Sequence, residues 1–306
     1  MTERSEGTGK RASVVTFPDE GGLVTPLLVV GHGTRDDAGV AEFGRFVERL
    51  RGRLPVDVAG GFIELSPPPL TDAVASLYAA GHRHVAAVPL VLVAAGHAKG
   101  DMPAALARER ARQPGLTYAY GRPLGPHPTL LRLLEERLDA VLDSAERADT
   151  AVLLVGRGST DPDANAEVCK AARLLWEGRG LAMVETAFVS LARPSVPEGL
   201  ERCRRLGARR VVVLPYFLFP GVLPDRVAEE ARAFTGAEVR CAEVIGDCEG
   251  LADLVLERYD EALRGDIRMN CDTCVYRLPM PGFEHRVGAP QRPHHHPDDP
   301  SHVHAH

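Results

Sequence analysis

Two hexapeptides place histidine where a side chain can do acid–base or ligand chemistry. Gly31-His32-Gly33-Thr34-Arg35-Asp36 follows the apolar run Leu27-Leu28-Val29-Val30, and Gly96-His97-Ala98-Lys99-Gly100-Asp101 follows a second run, Val85 to Val93. In an open parallel α/β sheet, the end of such a run is the carboxyl edge, where ligands bind. Neutral imidazole accepts protons near neutral pH and ligates divalent first-row metals. Either histidine alone is equally a polar group at a sheet edge, and Glu64 alone is equally a capping or solvated residue. His82, His84 and His127 read as surface histidines. A third pattern lies near the C-terminus, where Cys271-Asp272-Thr273-Cys274 is followed by His294-His295-His296 and by His302, His304 and His306. Two thiolates do not complete a four-cysteine cluster site, and the histidines could be no more than a weak metal reservoir.

The elements that must hold the first two motifs alternate strand and helix. Leu27 to Val30 suits a strand buried on both faces. Asp36 or Asp37 can cap a helix whose apolar residues Val40, Phe43, Val47, Leu50 and Leu54 form one stripe. The spacing predicts a strand over 56–63, a helix through Leu70, Val74 and Leu77 after Pro67-Pro68-Pro69, and a strand over 85–93. Pro103 then sits in the first turn of a helix, Thr117 to Tyr120 forms a strand, and a long helix covers about 128–144. Regular alternation means a parallel sheet with right-handed crossovers.

The second half repeats the first. At an offset of 125, Leu28-Val29-Val30-Gly31-His32-Gly33-Thr34-Arg35-Asp36 aligns with Leu153-Leu154-Val155-Gly156-Arg157-Gly158-Ser159-Thr160-Asp161. At an offset of 126, Phe62 and Leu65 match Phe188 and Leu191, and the segment from Gly81 to Pro89 matches Gly207 to Pro215. A domain-sized period means two similar α/β domains rather than a solenoid. The halves differ where chemistry is at stake. Arg157 replaces His32, Ser190 replaces Glu64 and Leu223 replaces His97. Packing alone would not require that asymmetry, so one half reads as the chemically active wall and the other as its opposing wall.

Bulk composition narrows the function classes. The chain has 306 residues, a formal charge of −6 and 25% charged residues. That balance excludes general binding to nucleic acid or an anionic membrane surface, and no apolar stretch reaches the roughly 20 residues needed to span a bilayer. The polar first 25 residues read as a disordered leader on a cytoplasmic protein. Residues 26–146 and 147–265 are the expected domains, and 266–306 is a flexible tail rich in proline and histidine. Gly31-His32-Gly33 lacks the third glycine of the dinucleotide fingerprint.

Together, Val29-Val30-Gly31-His32-Gly33-Thr34-Arg35-Asp36, Phe62-Ile63-Glu64-Leu65 and the segment from Pro89 to Pro103 resemble the class II chelatases, most of all the sirohydrochlorin cobaltochelatase and ferrochelatase subfamily. The Cys-x-x-Cys and His-rich tail resemble the long form of the cobaltochelatase. The resemblance implies two tandem chelatase-like, Rossmann-like domains with the active site in the cleft between them. It also implies a lyase-type metallochelatase that inserts Co²⁺ or Fe²⁺ into a tetrapyrrole without ATP, toward cobalamin or sirohaem. His32, His97 and Glu64 carry over as catalytic residues, the two histidines also as metal ligands. Cys271 and Cys274 become candidates for an iron–sulfur cluster. Arg35, Lys99, Gly156, Arg157, Gly158 and Ser159 are expected to bind the carboxylate-rich substrate through cationic side chains, a hydroxyl and free backbone N–H groups. The internal duplication favours a monomer, or a dimer if a cluster bridges two tails.

Overall fold

A computed structural model describes residues 24–266 and 284–288. All but the last two residues of the expected leader, Cys271, Cys274 and His294, His295 and His296 lie outside the described residues. The first half runs β1 (Leu27–Gly31), α1 (Asp37–Arg53), β2 (Val58–Phe62), α2 (Leu70–Ala79), β3 (His84–Pro89), a π-helical turn at His97–Asp101, α3 (Met102–Arg112), β4 (Thr117–Tyr120) and α4 (Pro128–Asp139). The second half repeats the pattern with β5 (Thr150–Gly156), α5 (Pro162–Trp176), β6 (Met183–Phe188), α6 (Val196–Arg205), β7 (Arg210–Pro215), α7 (Val222–Ala233), β8 (Glu238–Cys241) and α8 (Glu249–Arg264). Each half contains a four-stranded, all-parallel sheet, in the orders β2-β1-β3-β4 and β6-β5-β7-β8.

Those orders place a topological switch point between β1 and β3, whose following connections leave in opposite directions. His32 follows β1 and His97 lies beyond β3, so the switch point brings together histidines 65 residues apart in sequence. Local chemistry fixes the first of these elements. The Asp36 carboxylate accepts from the N–H groups of Ala38 and Gly39 and caps α1, satisfying two of the donors a helix start leaves open. The helix buries Phe43, Phe46, Val47 and Leu50. Phe46 was absent from the expected stripe, while Val40 and Leu54 are only partly buried.

The strand expected over 85–93 stops at Pro89. Leu90 N–H makes one more bond to the Val30 carbonyl (2.8 Å), and then the Val91 carbonyl accepts from Leu124 N–H instead of a strand. The apolar run continues because Leu90 and Leu92 remain buried; it records burial and not pairing. The helix expected to reach 144 ends at Asp139, where the chain turns to bury Leu142. His82 is 5% exposed, with its Nε2 2.7 Å from the Asp57 carboxylate, and His127 caps α4 by accepting from Thr129 N–H. Neither is a simple surface histidine.

Strand alternation divides the core into layers. Leu28 and Val30 face the outer cluster containing Val74 and Leu106, whereas Leu27 and Val29 face an inner core common to both halves. In that inner core the last helices are exchanged. α8 packs on β3 and β4 of the first sheet, and α4 packs on β7 and against α5 of the second half. The two sheets lie on either side of the expected 146/147 boundary, while the last helix of each half packs on the sheet of the other. Each inner sheet face has room for a helix that its own half sends away. Arg258 of α8, 1% exposed, fixes the crossing by donating from Nε to the Pro123 carbonyl (3.2 Å) and from Nη2 to that of Leu124 (2.9 Å). Leu254, on the same helix and 1% exposed, should therefore support the first sheet. Leu254→Ala is expected to cost about 2–5 kcal/mol, read as a lower denaturant midpoint in a single transition that melts both halves together.

Candidate active site

Gly33 sets the position of Glu64. Its φ is +113°, and a Cβ there would stand 1.9 Å from the Glu64 carbonyl oxygen. Only glycine permits that approach. Beyond the strand ends, Ile63 N–H bonds the Gly31 carbonyl (3.1 Å) and Glu64 N–H bonds that of His32 (3.2 Å). The β1–β2 ladder thus carries Glu64 beside His32. The second half repeats the arrangement, with Gly158 at φ +88° against the Ser190 carbonyl and Ser190 N–H bonded to Arg157 (2.9 Å).

His32 Nε2 lies 2.8 Å from His97 Nε2 and 3.0 Å from Glu64 Oε1. The other ring nitrogens decide what those atoms can do. His32 Nδ1 is 3.1 Å from the Gly33 carbonyl and His97 Nδ1 is 2.8 Å from Asp101 Oδ2. A carbonyl and a carboxylate only accept, so both Nδ1 atoms carry a proton and the Nε2 atoms are the ring nitrogens turned toward each other. Two ring nitrogens and a carboxylate oxygen thus converge within 4.8 Å, a set able to hold a divalent cation or one shared proton. Burial is the main influence holding His97 below the ordinary imidazole value of 6.5; the Asp101 hydrogen bond opposes it, and the charges of His32 and Arg157 reinforce it. His97 is therefore the neutral, ligating form at neutral pH.

The three side chains stand near the wall of a cavity of about 1010 Å³ between the carboxyl edges of the two sheets. His32, Arg35 and His97 line it from the first half, and Gly156, Arg157, Gly158 and Ser159 from the second. Leu65, Leu191, Leu218 and Val222 supply apolar wall.

The CbiX family model matches residues 26–141 and again 151–262. The chain belongs to the CbiX family of class II chelatases. The double match coincides with the internal duplication. A sirohydrochlorin cobaltochelatase from Priestia megaterium is 38% identical over 266 residues, covering 84% of this chain and 86% of the relative. A sirohydrochlorin ferrochelatase from the same organism is 33% identical over 234 residues, covering 75% and 87%. Among solved structures, SirB from Bacillus subtilis with Fe³⁺ superposes with a TM-score of 0.71 at 28% identity, covering 79% of this chain and 97% of that one.

The residues expected to bind substrate differ in their surroundings. Lys99 is not among the residues lining the cavity and sits in a buried cluster where its Nζ donates to Asp161 (2.7 Å) and Asp163 (3.0 Å). The lysine side chain is 6% exposed and both carboxylates 2%. Burial disfavours the ammonium, but the hydrogen bonds and charges of the two aspartates outweigh it and raise its pKa above the ordinary value. Lys99 therefore ties the His97 turn to the start of α5. Ala94 N–H makes a second tie by donating to Glu167 Oε2 of α5 (2.8 Å). Ser159 lines the cavity, yet its N–H already donates to Asn165 (2.9 Å) and its hydroxyl accepts from Asp161 N–H (3.0 Å). What it can offer a ligand is the hydroxyl proton, not the backbone donor.

Asp101 was in the motif without a role; its spacing of four from His97 is the signal that could have assigned one. Asp163, Glu167 and the apolar wall carried no local signal, because their partners come from the other half. Residues 284–286, expected to belong to the flexible tail, form a 3₁₀ turn whose His285 and Arg286 line the cavity.

Replacing Asp101 by alanine removes an influence that raises the His97 pKa, so protons would compete less at Nε2. Metal binding should nevertheless weaken by roughly 10–100-fold because the tautomer and ring orientation are lost, measured by Co²⁺ titration at fixed pH. In the parent protein, proton competition at His97 should begin only below pH 6.5, its ordinary value, read as the pH at which bound Co²⁺ is released. Lys99→Met leaves two buried carboxylates without their cation and should cost about 3–5 kcal/mol, followed by denaturant unfolding.

Proposed function

We propose that this chain is a sirohydrochlorin chelatase that inserts Co²⁺ in cobalamin biosynthesis. The observation that carries the reading is the donor set of His32, Glu64 and His97, with both Nδ1 atoms engaged and both Nε2 atoms turned toward one point beside the cavity. Insertion releases two protons from ring N–H groups as two metal–nitrogen bonds form. The imidazole lone pairs fit both halves of that exchange, first as ligands to the incoming substrate cation and then, once it has moved into the ring, as proton acceptors. Glu64 offsets cation charge during transfer. Arg35 and Arg157, both lining the cavity, match the carboxylates of the macrocycle, and the apolar walls match its faces.

Cobalt is favoured by the 38% identity to a cobaltochelatase and by the long-form tail. Fe²⁺ insertion toward sirohaem is the second reading, supported by the ferrochelatase relative and the Fe³⁺-bound SirB neighbour. A pure metal or tetrapyrrole carrier accounts less well for the Nε2-facing pair. An iron–sulfur cluster at Cys271 and Cys274 is part of the same proposal on sequence grounds, as is a cytoplasmic location. Among the described residues no helix is long and apolar enough to cross a membrane.

The deciding experiment mixes purified protein with sirohydrochlorin and either Co²⁺ or Fe²⁺ and follows the tetrapyrrole absorbance against an enzyme-free control. Acceleration is expected with Co²⁺, and His32→Ala and His97→Ala should each lower the rate by roughly 10²-fold or more. No acceleration with either metal would sink the enzyme reading. Undiminished rates in both variants would sink the site assignment and leave the activity standing.

A further inference from the structure

The turn Glu284–Arg286 follows α8 in sequence and contributes an imidazole and a guanidinium to the cavity that His32 and His97 line. His285 is exposed, whereas the His32 and His97 side chains are 16% and 11% exposed. One cavity therefore holds a solvent-reachable imidazole as well as the recessed pair. A hydrated divalent cation must lose water before it can reach the recessed set, and an imidazole at the rim can replace that water one ligand at a time. Arg35 and Arg157 on the two walls repel a cation, while Glu284, His285 and Arg286 together carry no formal net charge when the imidazole is neutral.

We propose that His285 is a transit ligand for the incoming divalent cation, taking it from solvent at the cavity rim and passing it to His32, Glu64 and His97. The proposal rests on the chelatase reading for its cargo, though ion loading can be measured without the macrocycle. It gives a residue of the C-terminal segment a place on the cation's path, which a distant reservoir does not require. Arg286, the next residue, suits a macrocycle carboxylate and serves as the contrasting position.

Two measurements on the full-length chain test this. In steady-state insertion at saturating sirohydrochlorin, His285→Ala should raise the apparent KM for Co²⁺ on the order of tenfold, with kcat and the tetrapyrrole KM unchanged, the pattern of a lost binding step. Arg286→Ala should move the tetrapyrrole KM and leave that for Co²⁺ alone. In stopped-flow loading of the protein with Co²⁺ alone, His285→Ala should slow the appearance of the visible Co²⁺ band without changing its final intensity. An unchanged Co²⁺ dependence and loading rate would overturn the proposal. So would an equal fall in kcat at every Co²⁺ concentration, because that would make the segment a cover for the cavity and not a route for the ion. If the parent protein inserts no metal, the chelatase reading fails, and the loading measurement still decides the role of His285.

Discussion

Two imidazole nitrogens 2.8 Å apart, with a carboxylate oxygen 3.0 Å from one of them, repel one another unless a proton or another positive charge stands among them. The surrounding protein holds them there regardless. The Gly33 carbonyl and the Asp101 carboxylate fix the tautomers, Gly33 admits the Glu64 backbone, and burial keeps His97 from relieving the repulsion by taking a proton of its own. The result is a set of ligand atoms whose positions and polarity are fixed by their neighbours, which is the condition for preorganised electrostatics.

Such an arrangement needs a stiff frame, and the frame is built from both halves. The turn carrying His97 is tied to α5 by a lysine and two aspartates sequestered from water, and again by a backbone N–H on Glu167. Behind the sheets, α4 and α8 each complete the packing of the half to which they do not belong. Movement of one wall relative to the other would disturb both the buried ion cluster and the shared core. The width of the cavity is therefore coupled to contacts made behind and beside it.

Much of this was legible in the residues. The duplication, the strand–helix alternation, the Asp36 cap and the convergence of His32, Glu64 and His97 all follow from patterns that are local or that repeat. What could not be read depends on contacts between halves. The pairing of Lys99 is such a contact, because its partners, Asp161 and Asp163, lie 62 and 64 residues away. The apolar run through Val93 looked like strand because burial by crossing helices leaves the same signature as burial within a sheet. The exchange of α4 and α8 has no sequence signature, since an amphipathic helix does not state which sheet it covers.

The replacement of His32 by Arg157 in the second half has a stereochemical consequence. Two identical halves would present an ion site on each side of a planar guest and could treat its two faces alike. Here one side offers a cation's ligands and the other a fixed cation. A flat guest lying between the two walls would meet a different chemistry on each face, so the cleft is a handed environment although the two halves share one fold.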